Sequence, residues 1–301
     1  MGGDDLGSDD EYLNPSISNA DVIDVIDDDD DDDDDDNDDD EALRESSNKR
    51  KRSDEKRAEI STSKKKNKDM IEKIDPINPS GRKKLLLHTA RGIGQESPDV
   101  QAAFLWTCYT HALGASDTAI IGDKFQPSSF ISWGDRIKLS QGILTNEERD
   151  AKYPFIIKEA VSTTSSMKRL KAWNVKKSPM ILIACVSARR CVAVLKAISS
   201  LKVRCAKLFA KHMDLQQQIS QLSSTPFPIA VGTPNRILKL CEDEALNLDS
   251  TEFVFIDGHE DAKAFTVCTL NDTAPELARL IQKQVQLQLK ERFDKIKLVI
   301  C

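Results

Sequence analysis

A short stretch in the second half of the chain combines a predicted helix start with a fixed positive charge. Pro228–Cys241 contains an apolar run, then Gly232, Thr233, Pro234 and Arg236. A threonine hydroxyl can cap a helix, and proline suits the first helical position. A helix N-terminus presents N–H groups and the positive end of its dipole to an anion, and an arginine fork binds phosphate. The stretch therefore predicts either a phosphate-binding turn or an ordinary strand-to-helix junction.

Two further turns carry polar side chains directly after apolar, strand-like runs. Ser187 and Arg189 follow the run Met180–Val186. Asp257 is the last residue of a second run, Glu252–Asp257, and Glu260 follows it. Hydroxyl and guanidinium groups suit a phosphate, whereas carboxylates suit Mg²⁺. In parallel sheets, ligands bind outside the carboxyl ends of the strands. We therefore expect these side chains at one edge of a sheet.

The elements that position these turns alternate along the second half of the chain. We predict strands at Met180–Val186, Arg204–Phe209, Ile229–Val231, Glu252–Asp257 and Ile296–Cys301, and helices at Pro98–Gly114, Ala188–Ser199, Asp214–Leu222, Ile237–Glu242 and Ala274–Arg292. A polar helix is also expected around residues 147–151. Short apolar strands alternating with helices predict an α/β fold, in which helices cover both faces of a parallel sheet.

The N-terminal part of the chain has a composition that cannot form a packed core. Residues 1–45 carry a net charge of −21, residues 46–84 carry +8, and the remainder carries +6. An unbroken aspartate run, Asp27–Asp36, repels itself. We therefore predict a disordered tail over residues 1–80 and a folded domain over residues 81–301. Two basic clusters predict a bipartite nuclear import signal: Lys49, Arg50, Lys51 and Arg52, then Lys64, Lys65 and Lys66.

Other features of the sequence narrow the class of protein. The seven cysteines form no C-x-x-C pair, and most lie inside apolar runs. They are therefore expected to be buried thiols in a reducing compartment, with no metal site. The chain has no apolar run of the roughly 18 residues that span a bilayer, and no secretory signal. We expect no membrane partner.

The order and spacing of the three turns resemble a known family. Residues 179–301 resemble part of the first RecA-like domain of the DEAD-box RNA helicases. The turn at Ser187 and Arg189 is similar to the family's P-T-R-E-L-A motif, with Arg190 replacing the glutamate. Thr233–Arg236 is similar to T-P-G-R with asparagine at the glycine position, and Asp257–Glu260 is similar to D-E-A-D. In that family, the first two motifs grip the RNA backbone.

The departures from that family argue against ATP hydrolysis. Gly258 stands where the resemblance requires the catalytic glutamate, and the chain contains no G-x-x-x-x-G-K-[ST] phosphate-binding loop. The nearest candidate, Val161–Arg169, has hydroxyls and lysine but no glycine. Phosphoryl transfer depends on positioned phosphates and Mg²⁺. No second RecA-like domain precedes Cys301 either, so we expect no enzyme, no cofactor and no small-molecule substrate.

The charged tail and the degenerate domain together resemble a narrower family, the U3-containing 90S pre-ribosomal complex subunits. This resemblance implies a nuclear, nucleolar assembly factor in early small-subunit biogenesis and pre-rRNA processing. Its implied partners are pre-rRNA or small nucleolar RNA and pre-ribosomal proteins. RNA is then expected at Ser187, Arg189, Thr233 and Arg236, while Asp257 and Glu260 remain as a degenerate acidic motif.

Three alternatives remain open at the level of sequence. The domain could be a protein-docking scaffold with no direct RNA contact. The aspartate run could be an acidic chaperone for basic ribosomal or chromatin proteins, with the domain as its anchor. A divergent NTPase could use Asp257 and Glu260 to hold Mg²⁺.

Deleting residues 21–45 distinguishes the tail from the domain as the principal binding element. If the domain binds, the shortened protein is expected to co-sediment with pre-ribosomes as the full chain does. Sucrose-gradient fractionation followed by immunoblotting measures this. Loss of co-sedimentation would instead favour the acidic chaperone.

Overall fold

The computed structural model describes residues 90, 92–114, 124–134, 144–211, 213–291 and 296–301. The acidic and basic N-terminal segments, with the import signal predicted in them, lie outside the described residues. Within these ranges, no helix combines the length and the apolar composition needed to cross a bilayer.

In the described part of the chain, five parallel strands form one central sheet, in the order β2-β3-β1-β4-β5. The strands are β1 (Ile181–Ala184), β2 (Cys205–Leu208), β3 (Ile229–Gly232), β4 (Phe253–Ile256) and β5 (Lys297–Ile300). Every residue of β1, β3 and β4 is buried, which explains why these strands are continuous apolar runs. The predicted α/β fold is confirmed.

Helices cover both faces of the sheet. They are α1 (Pro98–Leu113), α2 (Asn146–Thr164), α3 (Met167–Lys171), α4 (Ala188–Ile198), α5 (Leu215–Ser224), α6 (Pro234–Glu242), α7 (Ala274–Leu280) and α8 (Gln286–Glu291). A π-helical turn, Ile281–Val285, joins α7 to α8. Helices α2, α3 and α4 share one apolar core with the sheet, and α1, α5, α6, α7 and α8 share the other.

Alternate residues along β1 supply the two cores. Leu182 and Ala184 pack with α1 and its neighbours, whereas Ile181 and Ile183 pack with α2 and α4. This period of two follows from the pleat of a strand, which directs successive side chains to opposite faces.

Helix α2 is much longer than the polar helix predicted around residues 147–151. A capping box starts it, because the Thr145 hydroxyl accepts from the Glu148 N–H and the Glu148 carboxylate accepts from the Thr145 N–H. After the polar first turns, Tyr153, Ile157 and Val161 recur every four residues and are buried. This apolar stripe extends the helix to Thr164 along the sheet.

The segment considered as a degenerate phosphate-binding loop lies at the wrong edge of the sheet for that role. Val161–Arg169 forms the last turn of α2 and part of α3. Arg169 forms an ion pair with Glu252, which directly precedes β4. The segment is therefore at the amino edge of the sheet, whereas Asp257 follows β4 at the carboxyl edge. The segment lies there because α2 carries the chain along the sheet from one edge to the other.

Gly232 allows β3 to approach β2 closely just before α6 begins. A Cβ atom at this position would lie 2.5 Å from the Leu208 carbonyl oxygen and 2.6 Å from the Leu208 Cβ. The Thr233 N–H also donates to the Leu208 carbonyl at 3.1 Å. The start of α6 is therefore fixed against the end of β2.

We expect Gly232→Ala to lower the free energy of unfolding by about 1–3 kcal/mol, because the added methyl group forces β2 and β3 apart. Urea denaturation measures the change. Ser220→Ala on the exposed face of α5 is the control and should change stability by less than about 0.5 kcal/mol. Equal stability of the two variants would contradict the close-contact argument.

Candidate functional site

The predicted site residues are brought to one edge of the sheet. Ser187 follows β1, Thr233 follows β3 and Asp257 follows β4, and β1 lies between the other two strands. The strand ladder continues to this edge, since the Cys185 N–H donates to the Gly232 carbonyl at 2.9 Å and the Asp257 N–H donates to the Ala184 carbonyl at 3.0 Å. The carboxyl ends of three neighbouring strands therefore form one candidate site, as the sequence predicted.

The turn after β1 caps helix α4 and leaves an arginine in solvent. The Ser187 hydroxyl accepts a hydrogen bond from the Arg190 N–H at 3.2 Å, which satisfies one donor of the first helical turn. Ser187 and Arg189 are exposed, whereas Arg190 is buried. Ser187 is therefore part of the helix cap, and Arg189 is the charged group that this turn presents to solvent.

The turn after β3 differs, because its threonine does not cap the helix. The Thr233 side chain makes no capping hydrogen bond, contrary to the prediction from its position. Its backbone N–H is bonded to β2, and Pro234 occupies the first helical position without an N–H. The first turn of α6 therefore keeps backbone donors that no capping side chain satisfies.

Arg236 lies beside this uncapped turn and is held by a neutral group. Its Nη1 donates to the Oε1 of Gln218 at 3.0 Å, and its side chain is half-buried. Among the described residues, none of the ion pairs involves Arg189 or Arg236. Both guanidinium groups thus keep their positive charge at this edge.

A third basic residue at this edge was not among the predicted site residues. Lys211 follows β2, the neighbour of β3, and is exposed. The rule that selected residues after predicted strands would have found it, because β2 itself was predicted correctly. Lys211, Arg236 and Arg189 therefore follow β2, β3 and β1, in the order in which these strands lie side by side.

The acidic part of the edge is occupied by a buried salt bridge. Arg190 donates to both oxygens of Asp257, from Nε at 2.7 Å and from Nη2 at 3.0 Å. It also donates to both oxygens of Asp150 on α2, from Nη1 at 2.7 Å and from Nη2 at 2.6 Å. Burial alone would lower the pKa of Arg190, but the bonds to the two carboxylates outweigh this and raise it. Asp257 is therefore the counter-ion of Arg190.

The loop after Asp257 has no room for an additional side chain at its first position. A Cβ atom on Gly258 would lie 2.8 Å from the Cys301 carbonyl oxygen, and the Gly258 N–H donates to that same oxygen. The Gly258 carbonyl accepts from Nη1 of the buried Arg149 at 2.7 Å. The position that the helicase resemblance assigns to glutamate is thus filled by backbone contacts.

Glu260 and His259 belong to the same loop, which is hydrogen-bonded to Asn146 at the start of α2. The Asn146 amide donates to the Glu260 carbonyl at 2.8 Å and accepts from the Glu260 N–H at 3.3 Å. Burial lowers the pKa of His259, and the positive charge of Arg190 lowers it further. Within the described ranges, no three His, Cys, Asp or Glu side chains converge as a metal site would require.

The crevice beyond β4 and β5 is closed by the segments that precede α1 and α2. Ile131 donates its N–H to the Leu298 carbonyl at 2.9 Å, and the Trp133 indole N–H donates to the Ile300 carbonyl at 2.7 Å. The cavity left among residues that include Gly94, Trp133 and Gly258 measures about 10 Å³. This is about the space of one water molecule. The described residues therefore leave no room for a phosphate group here.

The carboxyl edge is divided into two halves by these contacts. Over β2, β3 and β1 it presents uncompensated cations and backbone donors, which suit an anion. Over β4 and β5 it is closed, and its carboxylate is neutralised. The geometry is therefore suited to binding an anion at one half, whereas the Asp257 carboxylate at the other half is engaged by Arg190.

The sequence model of the protein family described as U3-containing 90S pre-ribosomal complex subunit matches residues 147–300, which is about half of the chain and includes all five strands. The chain belongs to this family. Membership of this family, the 90S-subunit family for short, confirms the narrower resemblance found in the sequence. The likeness to DEAD-box helicases stays a prediction.

Individual relatives in the 90S-subunit family have moderate identity. Protein CMS1 of Chaetomium thermophilum is 32% identical over 120 residues, which are 38% of this chain and 47% of that protein. Protein CMSS1 of Xenopus laevis is 37% identical over 84 residues, which are 27% and 30% of the two chains. Protein CMSS1 of Homo sapiens is 30% identical over 122 residues, which are 40% and 44%. The chain thus matches less than half the length of these relatives.

We expect Asp257→Asn to lower the free energy of unfolding by about 3–5 kcal/mol, because it removes a buried carboxylate that faces a buried guanidinium. Urea denaturation measures the loss. Asp150→Asn is the matched control: its side chain is 29% exposed, so water can replace part of the lost interaction and the loss should be smaller. Equal losses in the two variants, or none at Asp257, would contradict the counter-ion role.

Proposed function

We propose that this 90S-subunit family member is a non-catalytic assembly factor that binds RNA of the small-subunit pre-ribosome through the basic half of the carboxyl edge. The family is that of a pre-ribosomal complex subunit, so pre-ribosomal partners follow from membership. The finer proposal names pre-rRNA or small nucleolar RNA as the ligand and Ser187, Arg189, Thr233 and Arg236 as the contact residues.

The observation that supports this proposal most is the position of Arg236 in the uncapped first turn of α6. The first turn of α6 has no side-chain cap, and the guanidinium beside it is bonded to an amide instead of a carboxylate. Backbone N–H groups at a helix start together with an arginine fork are suited to a phosphate oxygen. An RNA backbone supplies such oxygens at regular intervals.

The chemistry of this surface favours the RNA backbone over the bases. Contacts to phosphates from arginine, lysine and helix N-termini fix the position of a nucleic acid, but they carry no sequence information. Among the aromatic side chains of the described residues, Phe155 is the exposed one, and it lies on α2. We therefore propose binding that depends on salt and is nearly independent of RNA sequence.

The other half of the edge supports a non-catalytic role. Asp257 is fully buried and bonded to Arg190, and the Gly258 position has no space for a glutamate. Phosphoryl transfer needs carboxylates that reach Mg²⁺ and an aligned nucleophile. The proposed factor therefore binds RNA without hydrolysing a nucleotide.

The charge pattern of the N-terminal part fits a nucleolar setting. The clusters Lys49–Arg52 and Lys64–Lys66 have the composition of an import signal. The aspartate run before them has the charge to bind basic ribosomal proteins. We propose a nuclear and nucleolar protein whose domain contacts RNA and whose tail contacts basic proteins.

We expect Arg236→Ala and Arg189→Ala each to weaken binding of single-stranded RNA about tenfold, because each removes a charge-assisted contact to phosphate. Fluorescence anisotropy with a mixed-sequence RNA and an oligo-U measures both affinities over a salt series. The fold loss should be the same for the two RNAs, and the slope of log affinity against log salt should fall by about 0.7.

Lys239→Ala is the matched control, since it removes one positive charge from the exposed side of α6 near its other end. It should leave the affinity within about twofold. Undetectable RNA binding by the full chain at low salt, or equal effects of Lys239→Ala and Arg236→Ala, would contradict the proposed site. A loss confined to one RNA would indicate base recognition instead.

A further inference from the structure

Gln218 is a polar residue in the interior of the fold, beside the proposed RNA contact. It lies on α5 and is only 1% exposed. Its Nε2 donates to the Lys207 carbonyl at 2.8 Å and to the Phe209 carbonyl at 3.0 Å, at the carboxyl end of β2. Its Oε1 accepts from Nη1 of Arg236 at 3.0 Å. One buried amide thus joins α5, the end of β2 and α6.

The surroundings of Gln218 determine which way its amide points. A carboxamide has two N–H donors on its nitrogen and an acceptor oxygen. Both donors are used by backbone carbonyls, which can only accept, so the nitrogen must face β2. The oxygen must therefore face Arg236, and reversing the amide would set oxygen against two carbonyls. The acceptor for the guanidinium is fixed by the fold.

We propose that Gln218 is a positioning residue that holds the Arg236 guanidinium ready for an RNA phosphate. This inference rests on the proposed function of the basic half of the edge. An arginine side chain loses considerable rotamer freedom when it is immobilised on a ligand. Because Gln218 already holds one nitrogen of the fork, part of this side-chain freedom is lost on folding, before RNA binds. The remaining N–H groups are left for the phosphate.

The choice of an amide matters for the charge of the site. Arg190 lies in the first turn of α4, which follows β1, and is bonded to two carboxylates that neutralise it. Gln218 supplies the same kind of oxygen acceptor without a negative charge. Arg236 is therefore oriented but still cationic, which is the state that attracts an anionic backbone. A glutamate at position 218 would cancel the charge of the fork and would set a carboxylate oxygen against the Lys207 and Phe209 carbonyls.

A double-mutant cycle tests this assignment. We expect Gln218→Met, which keeps the apolar stem and loses the amide, to weaken RNA binding about two- to tenfold in the full chain. In the Arg236→Ala background, the same change should add less than about twofold, because the guanidinium that it positions is gone. Anisotropy with oligo-U over a salt series measures all four proteins.

A variant on the same helix separates positioning from loss of stability. Leu222→Ala truncates a side chain of α5 that is only 2% exposed. An apolar side chain makes no hydrogen bond, so the bond between Gln218 and Arg236 is retained in this variant. It should lower the melting temperature at least as much as Gln218→Met but leave RNA affinity within about twofold at a temperature where both are folded. Equal losses of affinity would show that Gln218 acts only through stability and would overturn the proposal.

Arg236→Lys provides a test that does not depend on the fold tolerating a change at Gln218. It keeps the charge but loses the planar fork that can contact Gln218 and phosphate together. We expect binding several-fold weaker than that of the unmodified chain. Full affinity in Arg236→Lys, or strictly additive effects in the cycle, would overturn positioning by Gln218. Failure of Arg236→Ala to weaken binding would instead contradict the proposed function itself.

Discussion

The arrangement of the carboxyl edge depends on the buried guanidinium of Arg190. It joins α4 to Asp150 on α2 and to Asp257 after β4, through four hydrogen bonds of 2.6–3.0 Å. Removing a charge from water is costly, and two bidentate partners compensate for it only when the geometry is maintained. The start of α2, the first turn of α4 and the end of β4 are therefore fixed relative to one another. The loop that follows Asp257 takes its position from this contact.

The strands and most helices could be predicted from the sequence because their signal is local. A continuous apolar run such as Ile181–Ala184 needs both faces covered, and this requirement holds wherever the strand lies in the sheet. The placement of Ser187, Thr233 and Asp257 at one edge followed directly, since each comes after such a run. The length of α2 was not predicted, because the apolar stripe that extends it begins only at Tyr153, after two polar turns.

The chemistry within the edge could not be predicted, because it depends on partners distant in sequence. Arg190 is separated by 40 residues from Asp150 and by 67 from Asp257, and nothing in the first turn of a helix distinguishes a buried arginine from an exposed one. The hydrogen bond between Gln218 and Arg236 could not be predicted either, because two carbonyls at the end of β2 orient the amide. The sequence therefore predicted where the charged groups lie and missed which of them are neutralised.

The contact between Gly258 and the end of β5 also limits how this domain can change by mutation. In a sheet, the spacing of neighbouring strands is set by their backbone hydrogen bonds, at about 4.8 Å. A glutamate at position 258 would need the Cys301 carbonyl to move away and the Gly258 N–H to lose its acceptor. A side chain at position 258 would therefore require coordinated changes in β4, β5 and the loop that contacts α2. The present packing restricts this position to glycine.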